Sequence, residues 1–223
     1  MASALMGRAG SAGIGERLLA CVSGQGSAVH PYLTSAALLR GPDASRNLSD
    51  FVHFLCMLHG RHPGVIDHAA NRCVEALQRG WFHKATQSFA AERAFLSRLA
   101  VAAGPIPSTP GAADSEAAVL AQRHAIETLA RSERNGCALG AALALTADWL
   151  SIRTILDAAA RRFGIEASPS AVEEQDAIAR FAGAAASSPA VERALMFGAE
   201  QIVLQHSGLW DLLESRQEAR STF

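Results

Sequence analysis

The chain has 223 residues, 49% of them hydrophobic but only 6% aromatic, and its 20 basic and 21 acidic residues leave a formal charge of -1 and a pI near 6.7. That length holds one substantial core, and the balanced charge excludes the clustered Lys/Arg excess with which proteins neutralise nucleic-acid phosphates. Abundant Ala beside scarce β-branched runs favours helices, because Ala loses no side-chain entropy in a helix whereas Val, Ile and Thr lose χ1 freedom.

Residues 1–12, rich in Gly, Ser and Ala, read as a disordered tail, and 13–223 as a single helical-bundle domain. Ile14 to Val22 suits a short helix, ended by Ser23-Gly-Gln-Gly-Ser27. Within it Leu18-Leu19-Ala20-Cys21 resembles the lipid-attachment box of bacterial lipoproteins, but Glu16 and Arg17 interrupt the apolar run of roughly 7–15 residues that a signal peptide requires. A helical turn after Pro31 meets a break at Gly41-Pro42, and Asn47 is placed to cap a helix running to the vicinity of Arg61. Pro63 disfavours α geometry at His62 but suits the first turn of a new helix. A second helix is therefore expected over 63–79, with Ile66, Ala70, Cys73 and Leu77 as its apolar stripe and Gly80 as its end.

A third helix over 82–103 stops at Gly104-Pro-Ile-Pro-Ser-Thr-Pro-Gly111, the longest irregular connection, which is expected to be exposed through residue 113. Asp114 caps a helix to Ser132, and Gly136 opens a central helix that ends at Phe163-Gly164. From Asn135 to Ile152 this helix carries only Asp148 as a charge, yet it falls short of the roughly 20 apolar residues of a membrane span. It reads as a buried core helix, and no membrane is expected. Ser170-Ala-Val-Glu173 fits a capping box for a helix to Ala186, and Ser188-Pro189 starts the last, over 189–218. The layout is all-α, a single-domain bundle of about 7–9 helices without strands. Cys21, Cys56, Cys73 and Cys137 form no C-x-x-C pair and have apolar neighbours, which suits a reducing, cytoplasmic location.

Four of the eight histidines lie between Phe51 and Ala70, around the break at Gly60. Histidine titrates near neutrality and is the commonest metal ligand. Elsewhere, isolated polar residues interrupt apolar stripes. His206 sits in the seam Leu195, Ala199, Ile202, Leu209 and Leu213; Glu92 interrupts Phe82, Ala85, Phe89, Leu96 and Leu99. Asp148 stands beside Ala144, Leu145 and Ile152, and His53 lies among Phe51, Val52, Phe54 and Leu55 with Asp50 one turn earlier as a partner. An unpaired buried carboxylate costs several kcal/mol, so these groups must be protonated, paired or metal-bound. For Glu92 and Asp148 the structural alternative is an ion pair with Arg153 or Arg72.

At the turn, Asp67 lies closer to the buried face than His68, while His59 can cap carbonyls and His62 simply precedes a proline. The candidate metal ligands are thus His53, His59, His62, Asp67, Glu92, Asp148 and His206, and at least two of His53, Glu92, Asp148 and His206 are expected to meet. His124 and Glu127 are one turn apart but face outward, where Arg123 and Arg131 flank the glutamate.

Helices in this number, with isolated carboxylates and histidines on inward faces, are similar at the fold level to ferritin-like and haem-oxygenase-like bundles. That resemblance implies a metal ion or haem and redox chemistry. Ferritin-like di-iron proteins carry Glu-x-x-His on two helices; here the order is reversed, in the outward His124-Ala-Ile-Glu127, which leaves a mononuclear site, a cofactor pocket, or neither. Two classes of function follow. A non-enzymatic protein would bind a protein partner or form a homo-oligomer, its polar core residues fixing the packing; this requires fewer coincidences. The alternative is a metal- or haem-dependent redox enzyme that draws on the candidate ligands.

Overall fold

A computed structural model of the chain describes residues 12–73 and 76–221, apart from the side chains of residues 76 and 77. Nine α-helices and no strand are found among the described residues, so the all-α reading holds. In order they are α1 (Ile14–Gln25), α2 (Ala36–Leu39), α3 (Ala44–His59), α4 (Val65–Asn71), α5 (Ala76–Ala103), α6 (Ala112–Ala130), α7 (Cys137–Phe163), α8 (Gln175–Ala185) and α9 (Pro189–Ser221). Two 3-10 turns, Ser27–Val29 and Pro31–Thr34, join α1 to α2.

The centre is α7. Every residue from Cys137 to Trp149 is buried, and α1, α3, α4, α5, α6, α8 and α9 all pack against it. It is also the one helix among the described residues long and apolar enough to cross a membrane, and 83% of its apolar window is covered by the rest of the fold. Each fully buried Leu or Phe in this core stabilises it by about 1.5–3 kcal/mol. The closest neighbour of α7 is α9, which runs parallel to it. A Cβ at Gly140 would stand 1.9 Å from the Leu195 carbonyl oxygen, and one at Gly198 would stand 2.1 Å from that of Cys137. The two backbones touch, which only glycine permits.

Several helix ends depart from expectation. α3 starts at Ala44 rather than at an Asn47 cap; Asn47 is buried, and its Nδ2 donates to the Ala37 carbonyl at 2.8 Å. Pro63 does not open a helix. The His62–Pro63 peptide is cis, and α4 begins at Val65 because the Asp67 carboxylate accepts from the Gly64 amide at 2.8 Å and thereby caps it. α4 stops at Asn71, and Gly80 lies inside α5 rather than ending a helix, since the buried Trp81, Phe82 and Ala85 outweigh the helix penalty of one glycine. Ser170 does not cap α8, which starts at Gln175; its hydroxyl donates to Glu92 instead, at 2.7 Å. The 104–111 connection is exposed over much of its length but tied down at the buried Thr109. Residues 1–11 of the expected tail and the Leu77 side chain lie outside the described residues.

Candidate functional site

The side chain of His206 leaves the middle of α9 and is fully buried. Its Nδ1 donates to Asp148 Oδ2 at 2.6 Å, across the α7–α9 interface. Asp148 accepts two further bonds from Ser27, in the turn after α1: the backbone amide reaches Oδ1 at 2.8 Å and the hydroxyl reaches Oδ2 at 2.6 Å. The approach is tight, because a Cβ at Gly26 would meet Asp148 Oδ1 at 2.5 Å. On the other edge of the His206 ring, Nε2 faces His59 Nε2 at 2.8 Å. His59 is the last residue of α3, edge-on to Trp149 and Phe89. Four elements thus place Ser27, Asp148, His206 and His59 in one buried hydrogen-bonded line.

Electrostatics give the line a direction. Burial pushes the His59 pKa well below the usual histidine value, and the charges of His206 and Arg93 add to this, so His59 is neutral at physiological pH. Burial would raise the Asp148 carboxyl, but the hydrogen bond and charge of His206 and the two bonds from Ser27 outweigh it and hold Asp148 below its ordinary value. One proton lies between two imidazole nitrogens 2.8 Å apart, backed by an ionised carboxylate. His59 also borders a cavity of about 30 Å³ between α3, α4, α5, α6 and α7, large enough for a water molecule. Arg61, His68, Arg123 and Glu127 stand at its polar side. The arrangement can pass a proton along its length and hold an imidazole edge toward a water.

Of the candidate ligands, only His59, Asp148 and His206 belong to this line. Glu92 is closed by Arg153 Nη1 at 2.6 Å, Trp149 Nε1 at 3.1 Å and Ser170. The pair with Arg153 matches the structural reading; Arg72 instead caps α6, donating to the carbonyls of Arg131 and Ser132. Asp67 binds Arg93 Nη1 at 2.9 Å as well as the Gly64 amide. His62 is mostly exposed, with Nδ1 3.3 Å from Asp67 Oδ2. His53 donates to the Gly104 carbonyl at 2.7 Å and so pins the end of α5. It does not pair with Asp50, which is buried among Arg216, Arg220 and their neighbours. Thus Asp148 and His206 meet, whereas His53 and Glu92 lie elsewhere. Among the described residues, no group of three or more His, Cys, Asp or Glu side chains is placed to hold a metal ion.

A family model described as a family of unknown function, DUF6975, matches residues 22–221. The chain belongs to that family. Comparison with curated proteins and with solved structures gives no match. The DUF6975 match spans Ser27, His59, Asp148 and His206, so the whole buried line falls inside the family region. Sequence periodicity had marked His206 and Asp148 but not Ser27, which lies in a 3-10 turn where no helical stripe exists to reveal it.

Proposed function

We propose that this chain is a non-enzymatic, cytoplasmic binding protein, acting through its surface on a partner or on a second copy. The observation that supports the reading is the saturation of its inward carboxylates. Glu92 and Asp67 are each neutralised by an arginine and hydrogen-bonded to further groups, Asp50 is held by Arg216 and Arg220, and Asp148 by Ser27 and His206. Such closed groups fix packing and have no free lone pair directed at a ligand. The core offers His59 a cavity of about 30 Å³, far below the few hundred Å³ of a small-molecule site.

A second reading, a metal-dependent redox enzyme, draws on the His59–His206 pair alone. Two Nε2 atoms face each other, and Asp148 orients one ring from behind, the outer-shell arrangement of many metal-bound histidines. Tetrahedral coordination at about 2.0–2.1 Å would require the two nitrogens to part to roughly 3.3 Å. A haem would need space that the cavity beside His59 does not provide.

Metal analysis of untagged protein, combined with thermal unfolding in the presence of iron, zinc, manganese or haem, separates the two. The binding-protein reading expects substoichiometric metal and no stabilisation by any of the four. Stoichiometric metal that disappears in His206→Ala would establish the second reading in its place.

A further inference from the structure

The surface carries an open cleft of about 540 Å³ between the Pro31–Thr34 turn, α2, α3 and the C-terminal end of α7. Leu33, Leu39, Leu48, Ile155 and Ala158 line it with apolar surface, and Arg40, Arg161 and Arg162 stand around it; no Asp or Glu lines it. None of the three arginines is in an ion pair with a described carboxylate, unlike the buried Arg93, Arg153 and Arg216 and the half-buried Arg220. Part of this is ordinary helix chemistry, because Arg161 and Arg162 occupy the last turn of α7, where a cation offsets the partial negative charge of the free carbonyls. That effect is weak for Arg40, at the C-cap of the four-residue α2, and does not account for the way Arg162 is steadied by donating from Nε to Ser45 Oγ at 2.7 Å.

The geometry points to a binding site for a small amphiphilic anion, a carboxylate or phosphate head on a short hydrocarbon body. A guanidinium matches such a head with paired, charge-assisted N–H donors. The half-buried Leu39 and Ala158 offer apolar surface to the body, over a floor of the buried Leu33, Leu48 and Ile155, and the cleft volume falls within the range of small-ligand sites. Net positive lining without a compensating acid favours an anion over a neutral lipid. The inference goes beyond the binding-protein reading, which names a partner or a second copy, and rests on its non-enzymatic character.

Titration calorimetry of the full chain with decanoate, held below its micellar concentration, provides the test. Saturable one-to-one binding is expected, at least tenfold weaker in the double variant Arg161→Glu/Arg162→Glu and unchanged in Arg180→Glu, an exposed arginine outside the cleft. Decanol, with no charge, and acetate, with no body, should each bind at least tenfold more weakly than decanoate. Circular dichroism confirms that the exposed substitutions leave the helices intact. Absence of saturable binding, binding indifferent to the double reversal, or binding only to vesicles containing anionic phospholipid would overturn the proposal. Failure of decanoate with metal-free protein removes the ligand class and leaves the binding-protein reading standing; stoichiometric metal removes that reading whatever the cleft does.

Discussion

At residue scale, His59 and Asp148 tie stability to pH in the same direction. The folded His59 refuses a proton that the unfolded chain accepts below the ordinary histidine value of 6.5, so the unfolded state binds more protons and stability falls on acidification. Asp148, held low, adds a second loss below its ordinary value of 3.8. Urea midpoints measured from pH 7.5 down to 5 should show a decline approaching about 1.4 kcal/mol per pH unit below 6.5, and His59→Gln should flatten it. An unchanged slope in the variant would assign the decline to another group. Separately, His206→Ala should lower stability by about 3 kcal/mol, by opening a cavity and removing a bond to a charged carboxylate, whereas His124→Ala should stay within about 0.5 kcal/mol. Helical periodicity made His206, Asp148 and Glu92 legible, since each breaks an apolar stripe. The burial of Asp50 and Arg216 was not read from the sequence, where Asp50 stood only as a partner for His53, although Arg216 continues the stripe of Leu209 and Leu213.

At the scale of elements, the helix bodies could be read from the sequence, and so could the ends that a glycine or proline marks, at Gly104, Gly136, Gly164 and Pro189, whereas the ends that tertiary partners set could not. A body repeats its apolar signal over several turns; an end depends on one or two side chains that tertiary partners can recruit. Asp67 is locked by Arg93 while it caps Gly64, and this sets the start of α4 two residues beyond Pro63. Ser170 satisfies Glu92, and α8 starts later for that reason. The glycines give a sharper test. Gly140→Ala must push apart two touching backbones and should destabilise by about 3 kcal/mol or prevent folding. Gly183→Ala, in exposed α8 with nothing within 4 Å of the new Cβ, should stabilise by roughly 0.5–1 kcal/mol. Equal effects in thermal unfolding would contradict the close contact.

At the scale of the whole molecule, one polar knot joins parts of the chain that no local signal connects. Arg216 Nη2 of α9 donates to Asp50 Oδ1 of α3 at 3.0 Å and to Thr109 Oγ1, in the loop before α6, at 3.2 Å. Arg220 reaches Asp50, Asn47 and the same threonine. The last turns of α9 are thereby fastened to the start of α3 and to a loop that sequence alone would leave free. Arg216→Ala leaves a buried carboxylate short of a partner and should cost about 3–5 kcal/mol, and protease cleavage within 104–111 should accelerate with it. If cleavage there stays slow while stability falls, the knot does not restrain the loop.

The glycine contact between α7 and α9 acts as a fulcrum. Asp148 stands eight residues beyond Gly140 (148 − 140), and His206 eight beyond Gly198 (206 − 198), on helices that run the same way from the contact. At 1.5 Å per residue each arm is about 12 Å long. Opening the crossing by about 5° would then separate the two side chains by roughly 1 Å, and a bond that closes at 2.6 Å would break. The downfield proton resonance expected for His206 Nδ1–H is therefore a gauge of the angle between the two central helices, readable without a label at either end.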